Sequence, residues 1–323
     1  MGLLENSSLR SFSMIRAGDH AKLSFHAFGT NCEVILRNEE FDPSAEIEND
    51  VLTWVDWFEK RYSRFCNNNW LSKVNQNAGI SEVEIQEEDL AILDACQYAY
   101  FLSEGIIDAS HLPLAKIWER ARKHKKLPSE YEIQHASSLV GWEKVVRSND
   151  SVFLPSVGMG LDFGGVGKEL AVDQVARSLT LHGVPNFLIN FGGDVFAKGK
   201  SLENQAWKVG IEKVGGGIQP ICILNLQNAG LATSGNYQKF FDLNGKRYGH
   251  LIDHRTGYPT IFSSLSCSVI SPSCMKAGIL STTCIMDGKK EGESKLDRQW
   301  DSAGCIQDFD SHCFSSRFFQ LTK

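Results

Sequence analysis

Residues 229–259 read AGLATSGNYQKFFDLNGKRYGHLIDHRTGYP. Glycines and polar side chains are dense in this stretch, and no continuous apolar run of the kind that only fills a core passes through it. Asn244-Gly245 is a strong hairpin signal, because both residues tolerate positive φ. Residues 246–252 are then predicted as the returning strand. Such a strand delivers His250 and Asp253 to its exit, and Arg255, Thr256 and Gly257 to the loop beyond. A hairpin with that exit is a candidate active-site edge. A solvated hairpin with polar loops is the plain alternative.

Outward from this stretch, the composition bounds the answer. A chain of 323 residues with 42% apolar content supports a large core, in two domains or in one large domain with lobes. The net charge of −6, with no charged tail, excludes a general nucleic-acid binder. The basic cluster of Arg120, Arg122, Lys123, Lys125 and Lys126 is local and reads as a solvated helix end. The nine cysteines include no pair at C-x-x-C spacing, so a thiolate zinc site is not supported. Reduced thiols and a cytoplasmic location are expected. The first residues show neither a signal peptide nor a lipoprotein-type apolar segment, and no membrane span is expected. Residues 1–20 are expected to be loose, 1–22 are read as an N-terminal extension, and 23–323 as a single domain with two lobes.

Amphipathic periodicity predicts helices over 43–58, 87–103, 114–124, 131–139 and 275–286. Strands are expected at 23–36, broken at Gly29, and at 187–191, 207–211, 221–226 and 267–270, with a terminal strand pair within 314–321. Three clusters punctuate this scaffold. Residues 161–169 (LDFGGVGKE) form a glycine-rich loop that runs into a helix over 170–181. Backbone N–H groups at such a junction can bind phosphate, and Lys168 adds a charge in the first turn. The loop is neither a Walker A loop nor GxGxxG. The strand FLINF at 187–191 exits into Gly192-Gly193-Asp194, a second glycine pair suited to close ligand approach. Asp108-Ala109-Ser110-His111 is a short polar cluster closed by Pro113. Arg64 suits either a phosphate contact or a surface role. Taken alone, Gly29 reads as a β-bulge.

Six pieces occur in one order: FGT at 28–30, DASHLPL at 108–114, DFGGVGKELAVD at 162–173, NFGGD at 190–194, ATSGNY at 232–237 and HLIDHRTGYP at 250–259. In these the chain resembles the ApbE family of flavin transferases, over about residues 25–290. The resemblance implies an α+β, T-fold-related sandwich of two related lobes with a central ligand cleft. It implies transfer of FMN from FAD onto a threonine or serine of an acceptor protein carrying a D-x-x-(S/T)-G-A-(S/T)-like motif, with release of AMP. A divalent metal, usually magnesium, would lie near the pyrophosphate.

The resemblance also implies roles. His250 would be catalytic, with Asp253 and Lys168 beside it. Gly29, Thr30, Ser110, Lys168, Asp194, Ser234, Gly235, Arg255 and Thr256 would contact the FAD, and Gly164, Gly165 and Asn190 would shape the walls. Thr282 and Gly165 would lie at the metal. Three positions depart from the family pattern. Gly278 stands where an aspartate ligand is usual, Glu169 follows Lys168 in place of glycine, and His254 replaces a proline. Loss of a carboxylate removes a hard ligand, so an aspartate restored at 278 is expected to tighten magnesium dependence. Two readings follow: an active FMN transferase with a rebuilt metal site, and a relative that binds flavin nucleotide without transferring it.

Overall fold

The structure is a computed structural model that describes residues 12–17, 20–37, 45–201, 203–217, 219–235, 240–243, 245–249, 251–260, 266–308 and 311–321. A nine-stranded sheet organises it, with strands β1 (Phe12–Ala17), β2 (His20–Ala27), β3 (Thr30–Arg37), β4 (Asn186–Phe191), β5 (Asp194–Lys198), β6 (Ala229–Gly235), β7 (Ser266–Ser271), β8 (Ala303–Gln307) and β9 (His312–Phe314). Their order in space is their order in the chain. Every neighbouring pair is antiparallel.

The meander is expanded at its turns. Between β3 and β4 the chain makes α1 (Ala45–Tyr62), α2 (Trp70–Gln76), α3 (Glu87–Leu102), α4 (Leu112–His124), α5 (Glu130–Ser138) and α6 (Gly167–Leu181). After β7 come α7 (Cys274–Asp287) and α8 (Lys289–Asp297), and after β9 a single turn, α9 (Phe318–Leu321).

Period-2 alternation gives each strand two faces. Val34, Leu36, Phe187, Ile189, Phe191, Val269 and Cys267 face the main core. There they meet the stripe Ile47, Val51, Val55, Phe58 and Tyr62 of α1 and the apolar faces of α3, α6 and α7. Ile35, Leu188, Val195, Ala197, Leu231 and Ile270 face the other way. They are covered by the hairpin of Trp207–Ile211 with Cys222–Leu226 and by the fully buried Phe318. The α+β class expected from the sequence is therefore what forms.

Three local expectations change. Residues 12–17 and 20 are not loose, because β1 and the start of β2 pair from Phe12↔Phe25 to Ala17↔His20. Residues 318–321 form a helical turn rather than an edge strand, and only His312–Phe314 extends the sheet. The returning strand of the 240–249 hairpin ends at Gly249, and Ile252–Asp253 pairs instead with Tyr258–Pro259.

Candidate active site at one end of the sheet

Two tight turns lie side by side. Ala27 pairs with Thr30 across Phe28-Gly29, and Phe191 pairs with Asp194 across Gly192-Gly193. Gly29 is thus the second residue of a two-residue turn and not a bulge. Phe28 and Gly29 have φ of 54° and 69°, and Gly192 and Gly193 have φ of 62° and 97°, the left-handed geometry that two-residue hairpins require. Cys32 pairs with Phe191, which brings both turns to the same sheet end. A methyl group on Gly192 would fall 2.3 Å from Thr30 Oγ1. Only glycine lets these turns nest.

Asp194 opens β5 at that end, and Ser234 and Gly235 close β6 there, since Leu231 pairs with Val195 and Gly235 with Ser266. Lys168, in the first turn of α6, is ion-paired with Asp194. Burial would lower the Lys168 ammonium, yet Asp194 and Glu169 hold it above its ordinary range. The α6 N-cap, Val166, provides no side-chain cap, whereas α2, α5 and α7 are capped by Asn69, Ser129 and Ser273. Gly167 N–H donates to the Phe163 carbonyl, and the absence of a side-chain cap behind the glycine loop leaves the Lys168 N–H for an anion.

Helix α7 closes the site from above. Ser234 Oγ is hydrogen-bonded to Thr282 Oγ1 at 2.6 Å and to Ser281 Oγ at 2.8 Å. Ser281 also donates to the Gly278 carbonyl, and Thr283 to the Ile279 carbonyl. Of the three hydroxyls in this turn, Thr282 is the one tied to the sheet alone. Ser281 was absent from the sequence-derived set because a mid-helix serine reads as bonding to its own preceding turn, which it also does.

The loop residues occupy supporting places. Gly164 N–H donates to Asp162 Oδ1, and Asp162 Oδ2 is held by Arg64 at 2.8 Å. Gly165 is exposed. Arg64 also pairs with Glu119, so both its partners are carboxylates. Asn190 Oδ1 accepts from Gly193 N–H and fixes that turn. Ser110 is fully buried; its hydroxyl donates to Asp108 Oδ1 and accepts from Gly141 N–H.

His250 lies outside the described residues. Asp253 binds Arg255 through both carboxylate oxygens, at 2.9 and 2.8 Å. Burial opposes ionisation of Asp253, but Arg255 holds its carboxyl below the usual range. Arg255 also approaches Asp287 on α7, five residues beyond Thr282. Thr256 Oγ1 donates to the Asp253 carbonyl, and Trp118 Nε1 to the Gly257 carbonyl, which ties the loop to α4. His254 is held below the usual imidazole range by burial, against Asp108 and Asp253, which favour its cation.

Residues predicted far apart in the chain therefore fall into two linked groups. Thr30, Gly192, Gly193, Asp194, Lys168, Ser234 and Thr282 converge at the sheet end. Asp253, Arg255 and Thr256 join them through the far end of α7. Ser110 belongs to the buried network around Asp108.

Whether the donors suit magnesium can be tested on the side chains. Among the described residues no group of three His, Cys, Asp or Glu is placed to hold a metal. Glu169 nonetheless has a buried oxygen, Oε2, with no hydrogen-bond partner. Burial and Asp194 push its carboxyl up to about 8, against Lys168. Magnesium commonly takes one or two carboxylates and completes its shell with water and substrate phosphate. One orphaned carboxylate packed against Gly278, in the helix whose Ser281 and Thr282 hydroxyls meet Ser234, fits that pattern.

Fold and site together define an α+β protein whose polar centre is built from glycine turns, hydroxyls and a paired lysine at one end of an antiparallel sheet. The ApbE family profile matches residues 28–306. An FAD:protein FMN transferase of Haemophilus influenzae is 30% identical over 240 residues, 71% of this chain and 69% of that protein. One from Treponema pallidum is 26% identical over 279 residues, 80% and 76% of the two chains. Flavin transferase ApbE from Vibrio cholerae superposes with a TM-score of 0.82 at 22% identity, covering 96% of this chain and 99% of its own. The apo flavinyl transferase ApbE of Pseudomonas stutzeri gives 0.83 at 22%, over 96% and 97%. The chain belongs to the ApbE family.

Proposed function

We propose that this protein is an FAD:protein FMN transferase. It takes FAD and an acceptor protein with a D-x-x-(S/T)-G-A-(S/T)-like motif, and yields an FMN phosphoester on the acceptor hydroxyl plus AMP. The observation that carries this reading is the convergence of Lys168–Asp194, the nested glycine turns and the Ser234–Thr282 contact at one sheet end, in a chain of the ApbE family.

The reaction needs three things from the chain. The pyrophosphate must be held, and Lys168 with the uncapped α6 N-terminus supplies positive charge for it. The acceptor hydroxyl must lose its proton as its oxygen attacks the FMN phosphorus, and the bond from that phosphorus to the AMP oxygen must break. His250 is the base in this reading, with Asp253 and Arg255 as a charged pair three and five residues later in the chain. Bound magnesium would add charge neutralisation at the phosphates, and Glu169 with Thr282 would hold it. The free thiols of all nine cysteines suit a reducing, cytoplasmic setting, and no helix of the described residues is long and apolar enough to cross a membrane.

Incubation with FAD, magnesium and an acceptor bearing the motif should add one FMN to the acceptor, read by intact mass, and release an equal amount of AMP. No adduct with any divalent metal would overturn the reading. Gly278 keeps a second reading in play, flavin-nucleotide binding without transfer; that protein would quench FAD fluorescence and give no adduct. His250→Ala should abolish most transfer and spare FAD binding. Loss of FAD affinity instead would make His250 a binding residue.

A further inference from the structure

Glu169 stands just inside α6, and its side chain crosses to α7. A methyl group on Gly278 would fall 2.6 Å from Glu169 Cγ and 3.0 Å from Oε1. The glutamate therefore occupies the space that any side chain at 278 would need. Its Oε2 atom is buried and has no hydrogen-bond partner. A buried acceptor without a donor is rare and calls for an ion or a water.

The neighbours narrow that choice. The Lys168 ammonium is paired with Asp194, whose own charge adds to the negative potential at Glu169. The Gly278 carbonyl already accepts from Ser281, and Thr282 follows one turn later on the same face of α7. The orphaned carboxylate of α6 thus packs against the turn of α7 that carries the Ser281 and Thr282 hydroxyls, and hard divalent cations are bound by oxygens of this kind.

We propose that Glu169 is the carboxylate ligand of a divalent cation in this protein, and that Gly278 is the gap that admits it. The carboxylate of the site comes from α6 and not from α7. This deepens the transferase reading and rests on it for the role of the cation, while the binding itself is measured separately. It also reverses one expectation. Gly278→Asp alone drives a side chain into Glu169, so it should weaken cation binding and not strengthen it.

The test is Mn2+ binding to the full chain without flavin, followed by the paramagnetic resonance of free Mn2+. The wild type should bind one Mn2+ that Mg2+ displaces. Glu169→Gln, nearly the same shape without the charge, should weaken it by about 10–100-fold, at least the effect of losing a supporting partner of a metal ligand. Glu169→Gly should lose binding equally, and the exchange Glu169→Gly/Gly278→Asp should regain it. Wild-type affinity in Glu169→Gln, or no Mn2+ binding by the wild type, overturns the proposal. If Glu169→Gln does not fold, the Glu169→Gly variant and the exchanged pair make the same comparison. Failure of the exchange to restore binding then overturns it. Glu169-dependent Mn2+ binding without any FMN adduct would sink the transferase reading alone. FMN transfer with wild-type affinity in Glu169→Gln would sink this one alone.

Discussion

Asp173 sits where two influences oppose each other. Its carboxylate accepts from the backbone N–H groups of Cys274 and Met275 at 2.8 and 2.9 Å, at the start of α7. Burial pushes its pKa up to about 6 despite these donors. An unfolded aspartate titrates near pH 3.9, so between about pH 4 and 6 the folded chain holds the extra proton. Stability from this group falls as pH rises through that window and is flat above it. Asp173→Asn removes the slope. Urea midpoints at pH 4 and pH 7 should therefore show the variant gaining on the wild type at the higher pH. A change in the opposite direction would mean that the two N–H donors outweigh burial. None of this was legible in DFGGVGKELAVD, where Asp173 reads only as a polar helix position. Glu169 was visible as a departure from a pattern, but its contact with Gly278 depends on two helices meeting, which no local period encodes.

At the scale of elements, glycine sets how closely α7 approaches the sheet. A methyl group on Gly230 in β6 would fall 2.4 Å from the Cys274 nitrogen and 2.5 Å from the Ser273 carbonyl carbon. Backbone atoms cannot swing aside as a side-chain tip can. Gly230→Ala should therefore lift the start of α7 and destabilise the fold by about 1–3 kcal/mol, read as a lower urea midpoint. Because Ser281 and Thr282 ride on the same helix, FMN transfer should fall with it. An unchanged midpoint would show that α7 accommodates the shift.

The elements also differ in how readable they were. The strand at 187–191 and helices α3 and α7 have long apolar patterns, and they form within a few residues of the expected bounds. β1 was missed because FSMIRA lies at the sheet edge with five of its six residues exposed, so burial leaves no alternating signature. Phe318–Leu321 misled because a short apolar run serves a buried helical turn as well as a strand.

For the whole molecule, one core joins the sheet to the helical block. Leu23, Val34, Phe187 and Ile189 of the strands share a single cluster with Val55, Ile92 and Leu179 of the helices. The block should not unfold separately. Helicity and tryptophan fluorescence are expected to change together on denaturation, since Trp54, Trp57, Trp70 and Trp142 all touch that core. Separated transitions would mean two independent units.

The neighbouring residues Arg37 and Asn186 pair at the junction of β3 and β4, so the helical block leaves and re-enters the sheet at one place. On the ribosome this separates the partners in time. Three strands are complete long before β4 exists, and synthesis of residues 38–185 at typical rates takes roughly ten seconds or more. For that interval β3 is a bare edge, open to other unfinished chains. The first sheet hairpins of this protein must wait, guarded by the growing helices or by chaperones, until their covering strand arrives.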